Sequence, residues 1–211
     1  MAADAPRKSY RRGRLEPSDL DPDPLRQLEA WLRDALASGL PEPNAMTLAT
    51  ADASGRVSAR MVLLKGIVDG GLEFYTNYAS RKARDLEANP QAAACFWWDR
   101  LERQVRLEGG VTRLPEAASR AYFASRPYGS QLAAWASEQS RTVASREALE
   151  ERFAEMRARF PEGEVPLPPA WGGYRLMPER IEFWQGRENR LHDRLLYRPI
   201  EGGWKVERLF P

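Results

Sequence analysis

Residues 45–77 read AMTLATADASGRVSARMVLLKGIVDGGLEFYTN, and the order of short apolar runs and turns in this stretch decides the fold. Residues 45–51 form one apolar run. Asp52-Ala53-Ser54-Gly55 interrupts it, residues 57–65 form a second run, Asp69-Gly70-Gly71 turns the chain again, and residues 72–77 form a third. Runs this short, separated by Gly and Asp turn residues, predict antiparallel strands joined by hairpins.

The same logic extends downstream. Ser80 is placed to cap a short helix carrying Arg81, Lys82 and Arg84, which Asn89-Pro90 ends. Residues 91–98 and 101–114 predict a long hairpin turning at Asp99-Arg100. Three helical stretches follow, at 115–125, 130–137 and 145–160, the last with Leu149, Phe153, Met156 and Phe160 on one face. After an irregular proline-rich loop at 161–170, strands return at 173–177, 180–185, 194–198 and 204–209, the last pair turning at Glu201-Gly202-Gly203. Upstream, Asp23-Pro24 reads as a cap and first turn. Leu25, Leu28, Leu32, Ala35 and Leu36 then keep helical spacing beside Trp31, up to Gly39. The polar, Arg- and Pro-rich residues 1–21 are expected to be a mobile arm. The fold class is therefore mainly β with helices (α+β), a closed antiparallel barrel in one domain over residues 22–211.

Composition narrows the chemistry. Of 211 residues, 43% are hydrophobic and 29% charged, as in an ordinary soluble protein, and 32 basic against 30 acidic residues leave only +2. That balance argues against a nucleic-acid binder. The single cysteine, Cys95, rules out a disulfide within the chain and sits in an apolar run, where a small buried hydrophobe is the simpler reading than a nucleophile. With His192 as the only histidine, paired-histidine metal sites are excluded and no metal is expected. Residues 1–8 hold no apolar signal core, and no stretch is long enough to span a membrane, so a cytoplasmic location is the default expectation. Chemistry must come from a cofactor, from Arg, Lys, Tyr and carboxylates, or from His192.

Three clusters are candidates, each with a plainer alternative that spacing does not remove. Arg60 and Lys65 end a strand, and Ser80-Arg81-Lys82 sits at a helix N-terminus, where free N–H groups favour an anion; together they could hold a phosphate, or Arg81 and Lys82 could be a solvated face. Tyr122 and Arg126, four apart on a helix, share a face, and Ser130 can turn toward them, a set suited to a phosphate dianion; alternatively Tyr122 is core and Arg126 surface. If residues 190–194 are extended, Arg190, His192 and Arg194 form a cationic row that needs an anion, either a phosphorylated ligand or a reduced flavin; alternatively Asp193 or a backbone carbonyl satisfies His192.

At these residues the chain resembles the pyridoxine/pyridoxamine 5′-phosphate oxidase family. The likeness is carried by Arg60-Met61-Val62-Leu63-Leu64-Lys65, Phe74-Tyr75-Thr76-Asn77, Ser80-Arg81-Lys82, Leu101-Glu102-Arg103-Gln104-Val105, Ser125-Arg126-Pro127, Glu138-Gln139-Ser140, Trp171-Gly172-Gly173, Ile181-Glu182-Phe183-Trp184-Gln185-Gly186 and Arg190-Leu191-His192-Asp193-Arg194. It runs in order over nearly the whole chain, from about residue 21 to the end. The resemblance implies an FMN-binding split β-barrel that forms a homodimer with FMN at the subunit interface. For FMN it implies Arg60, Met61, Val62, Leu63, Leu64, Lys65, Tyr75, Thr76, Arg81, Lys82, Gln104, Trp184 and Arg194, with Gln139 and Ser140 contributed across the interface. For substrate it implies Lys65, Tyr122, Arg126 and Ser130 at the phosphate, Arg190 and His192 as the catalytic pair near the pyridine ring, and Arg7 and Tyr10 in a covering segment. Tyr128-Gly129 departs from the family pattern.

The activity implied is oxidation of pyridoxine 5′-phosphate or pyridoxamine 5′-phosphate by O2 to pyridoxal 5′-phosphate, with hydrogen peroxide released, and ammonia from the amine. The cofactor carries the redox chemistry and the protein supplies orientation and charge. Two other readings compete. An oxidase of phenazine-type precursors shares the barrel, but its substrates lack a phosphate to engage Lys65, Tyr122, Arg126 and Ser130. A non-catalytic FMN or pyridoxal-phosphate carrier has no use for Arg190 and His192 at the ring.

Overall fold

The structure is a computed structural model describing residues 9–211. Alternation in the first run sets the buried face. In β1 (Ala45–Ala51) Met46, Leu48 and Thr50 point inward, and the strand pairs antiparallel with β2 (Val57–Leu63), Ala45 opposite Leu63. The second run does not continue to residue 65 as a single strand. Leu64 N donates to Asn44 O (2.9 Å) and Lys65 N to Glu73 O (2.8 Å), so the chain changes partner at this corner. It resumes as β3 (Gly66–Val68), paired with β4 (Gly71–Asn77). Backbone groups that leave one ladder must find another, and here the second ladder is at the far edge of the sheet.

After α2 (Arg81–Ala88), capped by Ser80 as expected, β5 (Gln91–Trp98) and β6 (Arg103–Arg113) form the long hairpin. Its second strand begins two residues later than expected because the turn takes Glu102 at φ 54°. The strands expected at 173–177 and 180–185 are one strand, β7 (Trp171–Gln185). A bulge between Glu108 and Gly109 absorbs Pro178, which has no N–H to give the ladder. Gly109 is required there, since a Cβ would lie 2.0 Å from Met177 O. The chain ends in β8 (Asp193–Ile200) and β9 (Gly203–Arg208).

The antiparallel ladder runs β2-β1-β5-β6-β7-β4-β3, with β8 and β9 branching from β7. One edge of β7 pairs with β6 over 174–185. The other edge pairs with β4 over 171–176 and with β8 over 181–185, and this exchange of partners splits the barrel. Phe74, Phe96, Trp98, Leu107, Ile181 and Phe183 fill the interior. α1 (Pro24–Ala37), capped by Asp23 accepting from Leu25 N, lays Leu28, Trp31 and Ala35 over that core, with Trp31 perpendicular to Phe183 at 5.0 Å.

Three helices connect β6 to β7: α3 (Glu116–Ala124), α4 (Tyr128–Ala136) and α5 (Arg146–Arg159). α4 starts earlier than its apolar pattern suggests, because Pro127 opens it, and Ser130 therefore lies inside its first turn. Along α5, Leu149, Phe153 and Met156 are only half-buried, while Phe160 is buried just past the helix end. The arm expected to be mobile is docked over its described part: Leu15 is buried and a short 3-10 turn spans Pro17–Asp19. No helix among the described residues is long and apolar enough to cross a membrane.

Candidate active site

A cavity of about 510 Å³ opens where the β2–β3 corner and β4 meet α3 and α4. One wall is aromatic. Tyr75 stacks on Tyr122 at 4.0 Å and on Trp171 at 5.6 Å, and the Arg126 guanidinium lies 4.8 Å from the Trp171 ring. Arg126 Nη1 is buried and has no hydrogen-bond partner among the described residues, and burial pulls the Arg126 pKa down against the opposing pull of Tyr122. Lys65 Nζ sits 5.8 Å from the Tyr122 ring, and Ser130 lines the same cavity from the first turn of α4. Tyr122 and Arg126 thus line one cavity, but α3 ends at Ala124, so Arg126 lies past the helix and does not share a helical face with Tyr122. Burial, then the neighbouring Glu73, pushes the Tyr75 phenol up to about 12, so it stays protonated at neutral pH.

The far end of the cavity is cationic. The buried Lys82 donates from Nζ to Thr76 Oγ1 (2.9 Å) and Gln139 Oε1 (2.8 Å). Burial first, then Arg60, lowers its pKa to about 8. At the start of α2, Arg81 N donates to Ser140 Oγ (3.1 Å). Gln139 and Ser140, expected from across a subunit interface, therefore reach this end within the same chain. The segment after α4 folds back onto α2, with Asn77 Nδ2 bonded to Ser137 O and Ser140 at φ 74°. Met61, Val62, Leu63, Tyr75 and Thr76 line the cavity as expected. Arg60 and Leu64 do not. Leu64 is core, and Arg60 donates to Leu48 O and Thr50 Oγ1 beside the buried Asp85, 3.8 Å away.

The remaining expected residues gather elsewhere. Gln104, Trp184 and Arg194 lie directly opposite one another across β6, β7 and β8. Arg194 donates to both oxygens of Glu182 (2.8 and 3.0 Å). Burial raises the Glu182 carboxyl, but Arg194 and Arg106 outweigh it and hold it below the usual range. Beside this row, Tyr10, Trp184, Arg190 and His192 surround a second depression of about 540 Å³ that shares no lining residue with the first. His192 lies 4.7 Å from Trp184 and 5.6 Å from Tyr10. Its Nδ1 accepts the Arg187 amide (3.1 Å), so the neutral ring carries its proton on Nε2. Burial, then Arg190, lowers its pKa against Asp193.

The extended Arg190-His192-Arg194 row is not formed. Asn189 and Arg190 take positive φ (55° and 64°) in the turn Glu188–Arg190, and Arg194 turns to Glu182. Arg7 lies outside the described residues.

The family model described as pyridoxamine 5′-phosphate oxidase matches residues 32–160. The chain belongs to the pyridoxamine 5′-phosphate oxidase family. A second model of this oxidase family, described as the pyridoxine 5′-phosphate oxidase C-terminal dimerisation region, matches residues 171–211. A pyridoxine/pyridoxamine 5′-phosphate oxidase of Rubrobacter xylanophilus is 59% identical over 97% of this chain and 94% of its own. One from Paraburkholderia phymatum is 56% identical over 97% of both. Among solved structures, PhzG of Burkholderia lata 383, in complex with tetrahydrophenazine-1-carboxylic acid, has a TM-score of 0.87 at 34% identity, covering 93% of this chain and 98% of its own. The fold is that of the family's FMN-binding split barrels.

Within this oxidase-family site, sequence reasoning missed Trp171 as a wall of the first cavity. Its signal was an aromatic residue ahead of Gly172-Gly173 at a strand start. It also missed the buried carboxylates Asp85, Glu102, Glu182 and Asp193, whose burial no local pattern announces.

Proposed function

We propose that this chain is an FMN-dependent oxidase, acting as a homodimer, that converts pyridoxine 5′-phosphate or pyridoxamine 5′-phosphate to pyridoxal 5′-phosphate. The observation that carries the reading is the orphaned Arg126 Nη1, buried against Trp171 in a cavity that also holds Lys65, Tyr122 and Ser130. A buried, unsatisfied guanidinium nitrogen is costly unless an anion completes it. A cation with two hydroxyls and a second cation suits a phosphate dianion.

The cationic end fits FMN. Lys82, the first turn of α2 and the Gln139–Ser140 segment offer a charge, backbone N–H groups and side-chain donors for a terminal phosphate. FMN, when bound, supplies the hydride acceptor and passes the electrons to O2, giving hydrogen peroxide. The chain's own residues bind and orient. Arg126, Lys65, Tyr122 and Ser130 hold the substrate phosphate and so fix the reacting 4′ carbon. Arg190 and His192 serve the ring: neutral His192 presents its N–H at Nε2, which donates to the ring and does not abstract from it. The amine substrate leaves as an imine that water hydrolyses to the aldehyde and ammonia.

The dimer is supported by the two separate depressions and by the dimerisation-region match over the residues that hold Trp184, Arg190, His192 and Arg194. The second depression of one protomer completes the first of its partner. Around it the outer face of β2, β1 and β5 is apolar and small-residued, with Val57, Met61 and Trp97 exposed beside Thr47, Ala49 and Cys95.

Likeness to the phenazine-complexed structure favours a second reading, oxidation of a phosphate-free tricyclic precursor. An oxygen electrode decides between them. Uptake with both phosphorylated vitamers, together with FMN released by heat, is the expected result. Uptake only with a phenazine precursor, FAD in place of FMN, or no flavin after reconstitution would overturn the proposal.

A further inference from the structure

Residues 9–15 of the arm are strapped across the ends of β6, β7 and β8 by two buried carboxylates. Glu102 Oε2 accepts from Arg11 N (2.8 Å) and Arg12 N (3.0 Å). Asp193 Oδ2 accepts from Leu15 N (3.0 Å), while Arg208 bonds both Asp193 Oδ1 (2.8 Å) and Leu15 O (3.3 Å). Between the anchors Gly13 passes so close to Gln185 that a Cβ would lie 3.1 Å from its Oε1. Ahead of them Tyr10 meets Trp184 and His192 edge-on, each at 5.6 Å.

We propose that Glu102 is a positioning residue: through the backbone amides of Arg11 and Arg12 its carboxylate holds Tyr10 as a wall of the Arg190–His192 depression. This rests on the reading above, in which that depression receives the substrate ring. The carbonyl of the same residue accepts the Gly186 amide (2.8 Å), and Gly186 is the floor on which Tyr10 sits, since a Cβ there would be 2.7 Å from Tyr10 Cγ. One residue thus fixes both surfaces of the Tyr10 contact. The turn that contains it holds Glu102 at φ 54°, which aims the side chain under the strap at a strained backbone geometry. The two anchors divide the labour. Asp193 ties Leu15 into the core, whereas the Glu102 carboxylate holds the segment that carries Tyr10. Its loss therefore frees residues 9–12 and leaves the barrel intact.

The strap carries its own reporters, because Arg11, Arg12 and Arg14 are tryptic sites on either side of Gly13. Full-length wild type, Glu102→Gln and Glu102→Gly are digested briefly without substrate, and the cleaved bonds are read by mass spectrometry. Glycine suits the positive φ, so the backbone turn is kept. Cleavage after Arg11 and Arg12 should accelerate at least tenfold in Glu102→Gly and by less in Glu102→Gln, whose amide oxygen still accepts without the charge. Cleavage after Arg14, next to the Asp193 anchor, should not change. A kinetic cycle with Tyr10→Ala then tests the route of action: if Glu102 works through Tyr10, the double variant loses no more kcat/KM than the worse single variant. Equal cleavage rates in wild type and Glu102→Gly, or fold-losses that multiply in the cycle, would overturn the proposal. A wild type that turns over neither phosphorylated vitamer would overturn the functional reading instead, and the cleavage pattern would still judge the strap.

Discussion

Arg126→Met removes the guanidinium and keeps an apolar stem against Trp171 and Phe123. Arg126 Nη1 has no partner among the described residues, so its two N–H groups can give charge-assisted bonds to a substrate phosphate. Each such bond contributes about 1.5–3 kcal/mol. Losing two should lower kcat/KM for pyridoxine 5′-phosphate by roughly 10²–10⁴-fold. Activity on unphosphorylated pyridoxine, already poor, should barely move, because the interaction removed is one that substrate never made. Stability should respond in the opposite sense. An unsatisfied buried donor costs about 1–3 kcal/mol, while the stacking of the cation on Trp171 returns about 0.5–2 kcal/mol. The ligand-free variant should therefore melt at the same temperature as wild type or above it. The assays are steady-state oxygen uptake on both substrates and thermal unfolding without ligand. An equal fold-loss on the two substrates, or a clear drop in Tm, would show that Arg126 supports the fold or the flavin and does not read the phosphate.

Four further outcomes are expected. Lys82 titrates at about 8 in the ligand-free chain, and a bound phosphate favours its charged form; FMN affinity followed by fluorescence quenching should be level between pH 7 and 8 and weaken above that by up to tenfold per pH unit, and a profile level to pH 10 would refute the assignment. His192, lowered chiefly by burial and then by Arg190, should titrate by NMR below the usual histidine value of about 6.5. Because the unfolded chain binds that proton more readily, folded stability falls as pH drops through the ordinary histidine range and is unaffected above it, so a His192 pKa at or above 6.5 would contradict the geometry. Arg190→Ala and His192→Ala should each lower kcat/KM, at least one of them through kcat, and wild-type kinetics in both would remove them from the site. Light scattering of the FMN-bound protein should give twice the 24.0 kDa chain mass, and a tightly FMN-binding monomer would exclude the shared site.

Much of the fold was legible because strand alternation and helix caps are local. Asp23, Ser80 and Ser145 cap the helices they were read to start, and Met46, Leu48 and Thr50 take the inward positions of a period-2 pattern. What failed depended on contacts distant in sequence. The break at Leu64 is set by Asn44 and Glu73, and β7 continues through Pro178 by a bulge that leaves Glu179 unpaired opposite Glu108 and Gly109 of β6. The site divides the same way. Tyr122 and Arg126 could be grouped because they are near in sequence, although the helix stops at Ala124, and Lys82 could be placed at an N-terminus. The positive φ at Arg190, which breaks the cationic row, has no sequence signal beyond the Asn189 before it, a residue type that tolerates that region. Gln139 and Ser140, expected from across the interface, meet Thr76, Lys82 and Arg81 within one chain, because a motif carries no information about which chain folds beneath it.

The length of β7 has a genetic consequence. Trp171, a wall of the first depression, and Trp184, a wall of the second, begin and nearly end one strand, on the order of 40 Å apart at about 3.3 Å per residue. On the proposed reading, a chain so built carries both halves of a site and cannot fold them together. In the proposed dimer each site is assembled from opposite ends of two strands. Two alleles broken in different halves, one at Arg126 and one at His192, would then rescue each other. In a mixed dimer one site collects both lesions and the other collects none. An equal mixture of the two dead proteins recovers about a quarter of full activity, since half the dimers are mixed and each has one sound site. An allele broken in both halves behaves differently: paired with a normal chain it spoils both sites at once, and its inheritance would be dominant.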